Sequence, residues 1–157
     1  MNDSETILRI ERLIASPPEV LFALWIEPAQ LLKWWAPDGC EACVDVLDVK
    51  PGGRWRTTLL KPDGGEATTS GIFRIVEPPR RLSFTWAWEG VESPETLVSV
   101  ELRPQGADTE LVLTHEGFPN AAFRDQHLHG WTGSTEKLAG LFTRVPATGG
   151  ESSPRAT

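Results

Sequence analysis

The stretch FRDQHLHGWTGSTEKLAGLF, residues 123–142, decides the fold. At 3.6 residues per turn, Phe123, His127, Gly130, Trp131, Ser134, Leu138, Leu141 and Phe142 share one side of a helix, while Asp125, His129, Thr132 and Glu136 share the other. This pattern predicts a long amphipathic helix that must cover a partner surface. Its apolar side carries a glycine, a serine and a histidine where a dense core would hold leucine or isoleucine. Unfilled volume costs stability, so sheet side chains or something bound between helix and partner must occupy those gaps.

Working outward, Gly117, Pro119 and Asn120 break the preceding segment, and Asn120 is the expected N-cap. Arg144 suits the dipole of the last turn and Pro146 ends it. Residues 146–157 are small, polar and rich in Gly, Ser and Pro, so this tail is expected to be disordered, as are residues 1–5. A single domain over residues 6–145 remains.

Upstream of the helix, residues 41–116 break into short segments. They are punctuated by Pro51-Gly52-Gly53, Pro62-Asp63-Gly64-Gly65, Glu77-Pro78-Pro79, the 90–94 stretch and Pro104-Gln105-Gly106, each suited to a reversal. That spacing predicts six adjacent antiparallel strands and not βαβ units. Parity sets the covered face: Trp55, Thr57 and Leu59 on one strand, Leu82, Phe84, Trp86 and Trp88 on another, then Leu111, Leu113 and His115. Gly71, Phe73 and Ile75 are read inward by the same test.

Residues 6–15 give a first strand with imperfect alternation. Ser16 with Glu19 matches a capping box for a helix over 17–26, whose apolar side is Val20, Leu21, Leu24 and Trp25. A second helical turn over 29–35 ends before Pro37. The fold class is therefore α+β: a curved antiparallel sheet of about seven strands, two short helices after strand 1, and a long C-terminal helix across the sheet.

Composition bounds the function. A net charge of −7 argues against a general nucleic-acid or anionic-membrane surface, and no apolar run is long enough to insert in a bilayer. The polar, acidic start lacks the features of a signal peptide, so a cytoplasmic location is expected. Cys40 and Cys43 form a C-x-x-C pair with no second Cys/His pair at zinc-finger distance. They lie at a strand entrance and not at a helix start, and are read as ordinary thiols.

Several segments, PEVLFALW (18–25), LLKWWAP (31–37), GIFRIVEPP (71–79), LSFTW (82–86), LVLTHEGF (111–118) and GWTGSTEKL (130–138), occur in an order that resembles the C-terminal type of domain of the activators of Hsp90 ATPase. That domain belongs to the START-like, or Bet v 1-like, superfamily of helix-grip folds, and the resemblance covers roughly residues 7–142. It implies a sheet gripping the long helix around a cavity, which in the superfamily often holds a lipid, a hormone, an aromatic polyketide or another apolar molecule. The N-terminal domain that accompanies this one in eukaryotic co-chaperones has no counterpart in the sequence, which argues against an Hsp90-type chaperone as partner.

Seven tryptophans and no tyrosine point to an aromatic-lined pocket for a small apolar or aromatic molecule. The residues expected to contact it are Trp35, Trp55, Phe73, Phe84, Trp86, Trp88, His127, Trp131, Ser134 and Leu138. The competing reading makes these rings core filler, as Trp25 and Trp34 are taken to be. His127 and His115 are the candidates for an acid or base in a cyclase-like or hydrolase-like enzyme, but no nucleophile with a partnered base is legible. His127 and His129 are two residues apart, point to different sides and cannot share a metal; no metal or other cofactor is expected. Arg54, Arg56, Arg80 and Arg81 read as a solvated outer face. The alternatives to a binding protein are such an enzyme or an Hsp90-type interaction module, and an exposed sheet edge makes a homodimer reasonable.

Overall fold

The computed structural model describes residues 5–37 and 39–142. Strand β1 (Ile7–Ile14) leads into α1 (Pro18–Ile26) and the single turn α2 (Pro28–Leu31). Strands β2 (Glu41–Leu47), β3 (Arg54–Leu60), β4 (Glu66–Glu77), β5 (Arg81–Trp88), β6 (Thr96–Gln105) and β7 (Asp108–Glu116) follow, then α3 (Ala121–Gly140). The sheet has seven strands in the order β1-β7-β6-β5-β4-β3-β2. Neighbours are antiparallel throughout. Because β1 pairs with β7 and not with β2, the chain must cross the sheet after β1, and α1 and α2 make that crossing.

One face of this sheet is apolar and α3 lies across it. Leu111, Leu113 and His115 of β7 are fully buried, as their shared parity predicts, and Trp55, Thr57, Leu82 and Phe84 join them. From α3 come Trp131 and Leu138, packed into the same core. Asn120 caps α3 as expected, its Oδ1 accepting from the Phe123 N–H at 2.8 Å. Arg12 of β1 donates to Glu136 at 3.1 Å and ties the edge strand to the helix. The positions assigned to Arg144 and Pro146 lie outside the described residues.

Four local expectations are corrected. The capping box does not form: Ser16 is buried at the end of β1, its carbonyl accepting from Thr109 Oγ1 at 2.7 Å, and Pro17 takes the N-cap position with no side-chain bond. On α1 the buried stripe is Pro18, Leu21, Phe22 and Trp25, joined by Leu24; Val20 falls off it and is 45% exposed. A register shift between Phe73 and Ile75 sets Ile75 opposite Ser83 and Val76 opposite Leu82, so Val76, not Ile75, packs on the core. Finally, α2 closes after one turn, and 32–36 continue as turns and bends.

Gly71 sits beside that irregularity. A Cβ there would collide with the Thr85 carbonyl and lie 2.6 Å from Trp55 Nε1. The Trp55 N–H donates to this same carbonyl at 2.9 Å, and Thr85 Oγ1 accepts from the Ile72 N–H at 2.8 Å. An indole and a hydroxyl thus supply contacts that the β4–β5 ladder lacks here, which only a residue without a side chain permits.

Candidate functional site

Between the first half of α3, the ends of β3 to β5, the segment after α2 and the 90–94 connection lies a chamber of about 300 Å³. Its walls are Trp35, Trp86, Trp88, Trp131, Phe123 and Leu59, with Pro37 and Val91 at the rim. His127, Thr69, Ser93, Gln126, Glu92, Gly130 and Ser134 add the polar and small positions. The rings form one network: Trp86 lies 5.3 Å from Trp131, 5.7 Å from Trp35 and 6.0 Å from Trp88, centroid to centroid.

The indole N–H groups are largely committed to the protein. Trp35 donates to Thr57 Oγ1 at 3.0 Å, Trp88 to His127 Nε2 at 2.9 Å and Trp131 to His115 Nδ1 at 3.0 Å. Trp86 Nε1 has no hydrogen-bond partner but is buried beyond the reach of solvent. The chamber therefore presents indole faces, not indole donors.

Those bonds fix both histidines. An indole N–H can only donate, so His127 Nε2 and His115 Nδ1 are acceptors, and each proton sits on the other nitrogen. His127 Nδ1 then donates to the Phe123 carbonyl at 2.9 Å. His115 Nε2 donates to Thr96 Oγ1 at 2.6 Å, and the Thr96 hydroxyl in turn donates to the Trp86 carbonyl at 2.9 Å. Burial holds the His127 pKa below its ordinary value, partly offset by the bond to the Phe123 carbonyl. His115 is pushed down to about 3, by burial first and by the neighbouring His127 second. Both rings are neutral near pH 7 with both nitrogens engaged, and neither offers a lone pair to a molecule in the chamber.

Among known protein families, the model described as Activator of Hsp90 ATPase homolog 1-like protein matches residues 15–143. The chain belongs to that family. An AHSA1 protein from Silicibacter pomeroyi is 34% identical, with a TM-score of 0.77 over 86% of this chain and 96% of that one. A protein from Chromobacterium violaceum superposes with a TM-score of 0.82 at 25% identity, over 87% of this chain and 96% of that one. A protein in the dynemicin biosynthetic locus shares the fold at a TM-score of 0.70 and 21% identity, over 90% of this chain and 47% of that one. No curated protein matches the sequence.

Within this member of the family, Trp35, Trp86, Trp88, His127, Trp131 and Ser134 meet at the chamber. Trp55, Phe73 and Phe84 do not; they surround a void of about 20 Å³ deeper in the core. Leu138 is fully buried in the core and away from both. Of the three gaps in the α3 stripe, the one at His127 is filled by its own ring, and those at the two small residues have different origins. Gly130 is exposed at the chamber wall, where a Cβ would meet no atom within 4 Å. Ser134 admits the segment after α2, donating to the Trp35 carbonyl at 3.4 Å, while Lys137 Nζ holds the Ala36 carbonyl at 2.6 Å.

Sequence reasoning did not name Val91, Glu92, Ser93, Gln126 or Phe123 as site residues. Helical spacing already sets Phe123 one turn before His127, and their rings stack at 4.9 Å, so that signal was available. For the 90–94 connection there was none, because turn residues announce a reversal without saying which side it leans toward. Among the described residues no group of His, Cys, Asp or Glu is arranged to hold a metal ion. Cys40 and Cys43 are free thiols, half-buried and exposed. No described helix is long and apolar enough to cross a membrane.

Proposed function

We propose that this protein binds a small apolar or aromatic molecule in the chamber between sheet and helix. The observation that carries the reading is the chamber itself: about 300 Å³ walled by four indoles and Phe123. That volume is at the lower end of small-molecule sites, roughly 300–1,000 Å³, and calls for a ligand of one or two fused rings. Helix-grip proteins of this superfamily commonly carry hydrophobic ligands, which agrees with the same reading. Both imidazoles are closed off by internal hydrogen bonds, which favours binding over acid–base catalysis in this arrangement.

The test uses Gly130. Gly130 lines the chamber and a Cβ added there meets no atom within 4 Å, so Gly130→Phe is expected to set a ring at the chamber wall without disturbing the core. Saturable binding of planar bicyclic probes, followed by calorimetry, is expected for the native chain and is expected to weaken at least about tenfold in Gly130→Phe, since a bulky ring in the chamber removes apolar contact area. Absence of saturable binding across a broad apolar library would sink the proposal.

A further inference from the structure

The chamber is unusual in what it withholds. Its ionisable lining side chains, among the described residues, are Glu92 and His127; no lysine or arginine reaches it. The donors that usually orient a carboxylate are also engaged elsewhere, since the N–H groups of Trp35, Trp88 and Trp131 and the Nδ1–H of His127 all bond within the protein. Thr69 Oγ1 shares a hydrogen bond with Thr57, and Ser93 Oγ accepts from the Trp88 backbone N–H and donates to the Pro94 carbonyl at 3.4 Å. Gln126 is the remaining side-chain amide on the wall, and the one unpartnered indole N–H among the lining residues, that of Trp86, is buried out of reach of the chamber's contents. An anion entering here would shed its water and find almost nothing in return.

A cation meets the opposite conditions. Indole faces carry the negative lobe of the ring quadrupole and attract ammonium groups. Beyond the rim, Pro37, Leu59, Trp88 and Val91 are shared with a second, wider hollow of about 670 Å³. Among the described residues, Asp63, Glu66 and Glu89 stand along it against a single lysine, Lys61. Glu89 is neutralised by Arg56 at 3.1 Å, and Asp63 accepts from the Gly65 N–H at 2.8 Å, but the balance stays acidic and runs on from Glu92.

Resting on the binding role proposed above, we infer that the ligand is an aromatic cation: a planar apolar body among the indoles of the chamber, with an ammonium group directed to Glu92 and the acidic hollow. The chamber selects for positive charge and against carboxylates. This separates the site from one built for a fatty acid or an aromatic acid, which would need a cationic or donor-rich end.

The experiment is a matched series on one ring system: a naphthylethyl trimethylammonium, the neutral naphthylethanol and the naphthylacetate anion, titrated calorimetrically into the full chain. The cation is expected to bind at least about fivefold more tightly than the anion, with the gap shrinking as salt is raised. Glu92→Gln is expected to narrow the cation-to-anion ratio. If the anion binds as tightly as the cation, the charge preference is wrong while the apolar chamber stands. If none of the three binds saturably, the binding role falls and this inference falls with it.

Discussion

At the scale of single residues, the informative feature is the way tryptophan donors lock histidine tautomers. Trp131→Phe deletes the N–H that His115 Nδ1 accepts at 3.0 Å and leaves both a small void and an unpaired buried acceptor. A loss of roughly 2–4 kcal/mol is expected, read as a shift in the urea midpoint. The pH dependence of stability has a definite sign. His115 has a folded pKa of about 3, below the unfolded value near 6.5, so between these limits only the unfolded chain takes up the proton. Its contribution is intact above about pH 6.5 and fades as pH falls toward 3, amounting to a loss of about 2 kcal/mol at pH 5. His127, also lowered, acts in the same direction. Denaturation at pH 7.5 and 5.0 measures this, and the difference should shrink in His115→Gln; equal stabilities at the two pH values would contradict a neutral buried imidazole.

At the scale of elements, the sheet and helix are each held by a feature whose removal can be measured. Gly71→Ala puts a methyl group against the Thr85 carbonyl at the point where Trp55 bridges β4 and β5. The overpacking should cost about 1–3 kcal/mol or shift the near-ultraviolet signal of Trp55, and a variant as stable as the native chain would show that β4 yields freely there. Asn120→Ala removes the cap of α3 and should cost about 1 kcal/mol in thermal or chemical unfolding. Element existence was legible from punctuation and periodicity: β2 to β7 and α3 follow them. What failed was local. Ser16 has the right neighbours for a capping box, yet its carbonyl is held by Thr109, ninety-three residues away, and no local pattern reports that bond. Ile75 has the right parity, yet the bulge after Phe73 turns it outward.

At the scale of the whole molecule, the chamber exists because three separate parts of the chain converge on one end of α3. The segment after α2 is held to α3 by Ser134 and Lys137, the 90–94 connection leans over Trp88, and the sheet supplies Trp86. A ligand that binds the folded state alone must stabilise it. The naphthylethyl cation at one hundred times its dissociation constant should raise unfolding free energy by about 2.7 kcal/mol, and the tenfold or weaker binding expected of Gly130→Phe should cut that rise to about 1.4 kcal/mol or less without lowering the stability of the free protein. Replacing a helical glycine should, if anything, add about 0.5 kcal/mol or less for an aromatic residue.

The sequence by itself determined the order of elements, the apolar face of the sheet and the side of α3 that meets it, because these follow from periods of two and 3.6 residues along a local stretch. It also supplied the indoles. Only the tertiary structure decided which of them line a chamber and which fill the core: Trp35, Trp86, Trp88 and Trp131 stand at the opening, whereas Trp55 lies beneath it with its N–H bound to the Thr85 carbonyl. It likewise decided that the donors turn inward and the mouth is acidic. Composition counts side chains but is silent on the long-range bonds that set where each one points, and those bonds, from Trp88 to His127 and from Trp131 to His115, turn a tryptophan-rich stripe into a surface of ring faces.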